Sequence, residues 1–404
     1  MKKITILGST GTIGKQTLEV ISGHLDVFDV HAITGFSNVD LLMKQCITYR
    51  PRYVVVGDVN SAKKLRTALQ DISLSIEVLH GQSGYCEVAR LDEVDIVVAA
   101  IVGLAGLQSV FAAIQASKTI LLANKEALVV SGELFVSDVE KYKATILPLD
   151  SEHNAIFQSL SAGYQQNLFF AVPQDYGVKR FILTGSGGPF LNKPLSEFKD
   201  IRVEEACAHP NWHMGRKISV DSATMMNKGL EFIELMYLFN TSFEDIEIVI
   251  HPQSIVHSLV EYNDGSLISQ MSLSDMKVPI SYCLFYPNRT YQCQKSLSLY
   301  GLQCSFERVD FQRYPCLLLA LEVAKTKKSL SVVLNAVNEV AVSAFLQERI
   351  LFSDIFLVCE KMIIQEDVKN MHSLEMVMEL DRKVRRKTQE YIESLERRVC
   401  QISY

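Results

Sequence analysis

Lys3-Ile4-Thr5-Ile6-Leu7 followed by Gly8-Ser9-Thr10-Gly11-Thr12-Ile13-Gly14 reads as a buried strand, a glycine turn and a helix opening at Lys15. The spacing G-x-x-G-x-x-G removes side chains where backbone must come close to a pyrophosphate. The free N–H groups of the helix terminus then receive its charge. A tight turn with nothing bound would use the same residues, so the context decides. Residues 30–34, 53–57, 95–100 and 119–123 are further apolar runs, separated by helical stretches such as 107–116. Continuous apolar strands alternating with helices mean a parallel sheet covered on both faces. Residues 1–149 are therefore expected to form a Rossmann-like nucleotide-binding domain.

The second strand ends in Gly35-Phe36-Ser37-Asn38, where an NAD site would carry Asp or Glu for the ribose hydroxyl. No carboxylate stands there, and Asp40 comes later. A 2′-phosphate held by Ser37, Asn38 and backbone donors is the expectation, which favours NADP. Asn124-Lys125-Glu126 stand at the carboxyl end of another strand, where ligands of open α/β sheets bind.

Leu147-Pro148-Leu149-Asp150-Ser151-Glu152-His153-Asn154 runs from an apolar strand into two carboxylates. If the chain stays extended, residues i and i+2 point to the same side, and Asp150 and Glu152 reach one hard cation. Asn227 and Glu231 share a helical face farther on, which offers a third carboxylate. Oxygen donors of this kind suit Mg or Mn. A solvated helix start is the plainer reading of the same stretch.

The rest of the chain changes character after residue 150. Residues 180–184 read as a strand, and Gly185-Ser186-Gly187-Gly188-Pro189 can cradle an anion. Ser219-Val220-Asp221-Ser222-Ala223-Thr224 is expected to precede a helix, with Asp221 or Ser222 as its N-cap. With Asn227 and Lys228 this makes a second anion site, and the two sites are placed to share one phosphate. His209-Pro210-Asn211-Trp212-His213-Met214-Gly215 has no period and carries the single Trp of the chain. A lid over substrate and a permanently packed loop both fit it. Residues 246–271 are β-like with an Asp264-Gly265 turn, expected as a two-residue hairpin, and either face of that sheet suits a dimer. His251 and His257 read as structural. Residues 287–313 look like a linker, and 316–324, 330–347, 353–364 and 373–399 read as helices of a small closing domain. The domain expectation is thus 1–149, 150–286 with a mixed or antiparallel sheet, the linker, and 314–404.

The 404 residues carry a net charge of −6. That gives neither phosphate neutralisation nor polybasic docking a source, so nucleic acid and membrane surfaces are not expected partners and a small molecule is. Nine scattered cysteines without a C-x-x-C pair suggest neither a disulfide framework nor zinc, and fit a reducing cytoplasm. Met1-Lys2-Lys3 leads directly into the first strand, which leaves no room for a signal peptide.

Taken together, these motifs resemble the 1-deoxy-D-xylulose 5-phosphate reductoisomerase family over essentially the whole chain. The resemblance rests on Gly8 to Gly14, Ala123-Asn124-Lys125-Glu126-Ala127, Leu149 to Ile156, Leu183 to Phe190, and His209 through Glu231, in that order. It implies a divalent metal (Mn, Mg or Co) on Asp150, Glu152 and Glu231, and a substrate phosphate on Ser186, Ser222, Asn227 and Lys228. Ser151, Lys125 and His209 would touch the remaining substrate, with Trp212 and Met214 over it. NADPH would lie on Gly8, Thr10, Gly11, Thr12, Ile13, Gly35, Ser37, Asn38, Asn124, Lys125 and Glu126, with Gly215 near it. The implied reaction is retro-aldol cleavage and aldol rejoining of a keto sugar phosphate, then hydride transfer, with Glu152 or Lys125 carrying protons and His209 in the catalytic set. The alternatives are another NADP oxidoreductase of semialdehyde dehydrogenase type, for which Cys207 is the candidate nucleophile, and a non-catalytic NADP-sensing module.

Overall fold

The computed structural model describes residues 1–212, 214–290 and 295–402. The chain divides into two compact units. One comprises Met1–Ala127, Phe135–Asn154 and Asp275–Gln294; the other comprises Leu128–Leu134, Ala155–Ser274 and Lys295–Tyr404.

The first unit holds β1 (Lys2–Leu7), β2 (Phe28–Thr34), β3 (Tyr53–Val56), β4 (Glu77–His80), β5 (Ile96–Ala99), β6 (Thr119–Leu122) and β7 (Thr145–Pro148). They form one sheet in the order β4-β3-β2-β1-β5-β6-β7, every pair parallel. Helices α1 (Thr12–Ser22), α2 (Val39–Tyr49), α3 (Val59–Asp71), α4 (Gly81–Ala89), α5 (Leu107–Gln115) and α6 (Lys125–Tyr142) connect them. β3 and β5 are buried at every residue, as a sheet covered on both faces requires. The strand order reverses between β1 and β5, and the crevice beyond their carboxyl ends is where such sheets take ligands. α1 begins at Thr12, a turn earlier than Lys15, because Gly11 already occupies the N-cap position. A later helix, α12 (Lys277–Phe285), returns to this unit. It is fixed there by a Lys277–Glu19 ion pair at 2.6 Å and by Phe285 lying edge-on to His24 and Phe28.

The second unit contains a mixed sheet of β8 (Val178–Gly185), β9 (Ile246–Ile250), β10 (Val256–Tyr262), β11 (Leu267–Met271) and β12 (Glu307–Arg308), in the order β11-β10-β8-β9-β12. Only β8 and β9 run parallel. β12 comes from the stretch expected as a linker, so part of that stretch completes the sheet. The β10–β11 hairpin forms, with a loop one residue longer than expected. Tyr262 N–H donates to the Ser266 carbonyl at 2.9 Å, which leaves 263–265 as the turn, closed by Gly265 at φ +87°.

The helices after the first sheet are α7 (Ser151–Ser159), α8 (Ala162–Gln165), α9 (Val203–Cys207), α10 (Arg216–Ala223) and α11 (Met226–Leu238). They are followed by α13 (Pro315–Thr326), α14 (Ser329–Leu346), α15 (Asp354–Ile364) and α16 (Leu374–Ile402). The last four match the expected helices closely, since apolar periodicity this long is hard to misread. Gly229 lets α13 come close to α11: a Cβ there would lie 2.3 Å from Ala320 Cβ.

Candidate active site

The glycine turn is held from below. Gly8 N–H donates to Thr34 Oγ1 at 2.8 Å, and Ser9 N–H donates to the Thr34 carbonyl at 2.7 Å. Ser9 Oγ donates to Gln45 Oε1 while Gln45 Nε2 donates back to the Ser9 carbonyl, at 2.7 and 2.9 Å. The turn is thus rigid before any ligand arrives. Gly8 has φ +84°, and a Cβ on it would stand 2.7 Å from the Ala100 carbonyl oxygen. α1 has no side-chain cap, so its first-turn N–H groups suit an anion.

Asn38 does cap a helix: its side-chain oxygen accepts from Leu41 N–H at 3.1 Å, which leaves its amide nitrogen for a ligand. Asn124, expected to touch the nucleotide, bonds to protein through both ends of its amide. Nδ2 donates to the Ile101 and Gly103 carbonyls at 2.6 and 3.0 Å, and Oδ1 accepts from Ala127 N–H at 3.1 Å. It therefore shapes the loop after β5 while setting Lys125 and Glu126 at the start of α6.

The two carboxylates after β7 do not lie on extended chain as expected. α7 starts at Ser151, the Asp150 carbonyl accepts the first helical bond from Asn154 N–H at 2.8 Å, and Glu152 sits in the first turn. The helix start wins because Asn154 Nδ2 also donates back to the Pro148 carbonyl at 2.9 Å and locks the corner. Cys283 donates to the same carbonyl at 3.3 Å. Burial pushes its thiol pKa far up, so it remains a donor. Asp150 pairs with Lys125, both largely buried, and His153 Nδ1 lies 4.0 Å from Asp150 Oδ2. Ser151 Oγ donates to the Glu152 carboxylate. A negative pair at a helix start, balanced by one lysine, is a chemically sound half of a cation site.

The second unit holds the stretches expected to cradle an anion. Ser222 lies inside α10, near its end, and Asp221 is no cap. The expected helix start fails because Gly215 opens α10 earlier, and Met225, at φ 59°, separates it from α11. The two stretches still meet. A Cβ on Gly188 would lie 2.8 Å from the Ser222 carbonyl oxygen, and one on Gly185 would lie 3.3 Å from Lys228 Cε. The Gly-Ser loop therefore abuts the end of α10 and the first turn of α11. Tyr314 Oη donates to the Gly187 carbonyl at 2.8 Å, and burial keeps that phenol protonated by raising its pKa. Lys228 and Asn227 both donate to the buried Glu231 carboxylate.

His209 reaches this cradle. Its Nδ1 accepts N–H bonds from Asn211 and Trp212 at 3.2 and 3.0 Å, so the ring proton is on Nε2, which donates to Ser186 Oγ at 2.9 Å. Trp212 is half-buried and meets His257 edge-on at 5.9 Å, while Asn211 Nδ2 donates to Pro252 O and Ser254 Oγ. The loop is thus packed on its own unit in this conformation. Met214 is half-buried and Gly215 exposed; His213 lies outside the described residues. His251 is structural, as read: Nε2 accepts from Ile255 and Val256 N–H, and Nδ1 donates to the Ser305 carbonyl.

Sequence reading missed a buried network behind Ser222. The Asp221 carboxylate accepts from Asn338 Nδ2 and pairs with Lys217, each at 2.8 Å. Asn335 and Asn338, set among the apolar residues of α14, were the available signal, since a polar group buried there needs a partner. Tyr314 and its bond to the cradle had no local signal.

A parallel nucleotide-binding sheet, a carboxylate pair and a phosphate cradle define a dinucleotide-linked oxidoreductase of phosphorylated substrates. Family profiles sharpen this class. Residues 4–132 match 1-deoxy-D-xylulose 5-phosphate reductoisomerase, residues 146–239 its C-terminal domain, and residues 271–387 the DXP reductoisomerase C-terminal domain. The chain is 49% identical over 393 residues to 1-deoxy-D-xylulose 5-phosphate reductoisomerase of Proteus mirabilis (strain HI4320), covering 97% of this chain and 99% of that one. Among solved structures, a DOX-P reductoisomerase in complex with NADPH, fosmidomycin and magnesium is 42% identical. It matches with a TM-score of 0.93 over 98% of this chain and 99% of that one. The enzyme of Zymomonas mobilis in complex with NADPH is 40% identical, with a TM-score of 0.88 over 97% and 98%. The chain belongs to the 1-deoxy-D-xylulose 5-phosphate reductoisomerase family. The semialdehyde dehydrogenase and NADP-sensor alternatives fall with that membership.

Proposed function

We propose that this chain performs the reaction of its family, the NADPH-linked and metal-dependent conversion of 1-deoxy-D-xylulose 5-phosphate to 2-C-methyl-D-erythritol 4-phosphate in the methylerythritol phosphate route to isoprenoids. The observation that carries this is full-length likeness to the family, and it is supported by the rigid glycine turn, by Asp150 paired with Lys125, and by the Gly-Ser loop lying against Ser222 and Lys228. When bound, NADPH supplies a hydride and the cation (Mn, Mg or Co) supplies Lewis-acid polarisation of the substrate ketone.

The remaining work belongs to the chain. Gly8, Thr10, Gly11, Thr12 and Ile13 receive the pyrophosphate, Gly35, Ser37 and Asn38 the adenosine half, and Asn124, Lys125, Glu126 and Gly215 flank the nicotinamide half. Asp150, Glu152 and Glu231 hold the cation, each being a hard oxygen donor; Lys125 balances Asp150 and Lys228 balances Glu231. Ser186, Ser222, Asn227 and Lys228 grip the phosphate, remote from the reacting carbons, so that binding energy orients the substrate. Ser151, His209, Trp212 and Met214 surround the rest and exclude water. Glu152 or Lys125 carries the protons. In this reading residues 1–149 serve the nucleotide, 150–286 the chemistry, 287–313 link, and 314–404 close the fold.

The test is NADPH oxidation with 1-deoxy-D-xylulose 5-phosphate. Excess chelator is expected to lower the rate by about 10²-fold or more, the scale of losing a principal electrostatic stabiliser, and added Mn or Mg to restore it. Full activity in chelator overturns the metal assignment.

We also propose a cytoplasmic homodimer. Free thiols at Cys46, Cys86, Cys207, Cys283, Cys304, Cys316 and Cys359 suit a reducing compartment. Edge strand β11 exposes Leu267, Ile268 and Met271 at 55%, 45% and 39%, an apolar edge that invites pairing with a second copy. Sedimentation is expected to show a dimer that Ile268→Lys shifts toward monomer. A monomeric parent chain overturns this.

A further inference from the structure

The strand end that carries no charged side chain carries an exposed ring. Phe36, directly after β2, is 71% exposed, yet the backbone beneath it is fixed. Gly35 N–H donates to the Val55 carbonyl and Gly57 N–H to the Phe36 carbonyl, both at 2.9 Å, and buried Tyr85 Oη donates to the Gly35 carbonyl at 2.9 Å. The ring rests against Gly57, where a Cβ would stand 2.5 Å from Phe36 Cδ2, so only glycine there leaves the ring its place. Val59, the first residue of α3, which follows β3, is exposed at 46%. A Cβ on Gly35 would lie 3.0 Å from Thr10 Cγ2, so this apolar step adjoins the glycine turn. The adenosine half of a dinucleotide lies at the end of the second strand. Two of the polar groups nearby serve as caps: Asn38 Oδ1 caps α2, and the Asp58 carboxylate caps α3 through Asn60 and Ser61.

We propose that Phe36 is a binding residue that holds the adenine ring of the dinucleotide by stacking. A preset aromatic face costs little ordering and accepts any purine face. Affinity in this chain then rests on the base more than on a charged clamp of the 2′-phosphate. The proposal rests on the NADPH reading above.

It is tested by calorimetric titration of the full chain, without turnover. Phe36→Ala is expected to weaken 2′,5′-ADP by about 10-fold or more, the range of one base stacked on one aromatic side chain, and to leave reduced nicotinamide mononucleotide unchanged. NADPH and NADH should weaken by the same factor, so their ratio holds. Phe36→Trp should bind as the parent does. Phe36→Leu, which keeps apolar bulk without a π face, should behave as the alanine variant does. An alanine variant within twofold of the parent for 2′,5′-ADP, or a leucine variant equal to the parent, overturns the proposal while the cofactor reading stands. A parent chain that binds neither NADPH nor 2′,5′-ADP overturns both.

Discussion

Glu231→Gln is expected to lower turnover at saturating metal by about 10²- to 10³-fold, the cost of removing one preorganised electrostatic group from a reacting centre. The structure adds a second effect. Glu231 is fully buried and accepts from Lys228, itself buried, and removing one partner of such a pair costs roughly 3–5 kcal/mol. Thermal melting therefore has to accompany the kinetics. The double variant Lys228→Met with Glu231→Gln removes both charges, and it should melt above the single variant while remaining inactive. A folded Glu231→Gln enzyme with kcat near that of the parent takes Glu231 out of the cation site.

Gly14→Ala is the second large effect, this time on stability. A Cβ at Gly14 would stand 2.3 Å from the Gly8 carbonyl oxygen and 2.5 Å from Ser9 Cα. Both are backbone atoms that cannot rotate away, so α1 must lift off the turn. Overpacking of softer sites costs about 1–3 kcal/mol, and this one is expected to reach or exceed the top of that range while abolishing NADPH binding. Gly11→Ala is the matched control. Its Cβ would approach the Gly8 carbonyl oxygen only to 3.4 Å, and its φ of −75° suits any residue. Urea midpoints for the two variants should differ clearly; equal midpoints would show that the turn yields.

The G-x-x-G-x-x-G spacing cannot tell these glycines apart, which marks the boundary of what the sequence discloses. The parallel sheet and the four C-terminal helices were legible because burial imposes a period on long segments, and the resemblance named the family before any coordinate. Local starts were less legible. Asp150 and Glu152 read equally as strand end or helix start, and a bond from Asn154 to Pro148 decided between them. Ser222 was placed before a helix because Asp and Ser favour caps, whereas Asp221 is committed to Asn338 more than a hundred residues away. Such pairings depend on which elements meet, and no window of sequence contains both partners.

The tautomer of His209 has one more consequence. Ser186 Oγ accepts from His209 Nε2–H and from Gly188 N–H at 3.0 Å, so both its lone pairs are taken and its own proton must point outward. Toward a ligand it is a one-way donor, able to give a hydrogen and unable to receive one. In the proposed cradle a phosphate ester must therefore turn an unprotonated oxygen toward Ser186, which its monoanion and its dianion can both do, so this contact fixes the orientation of the guest rather than its charge.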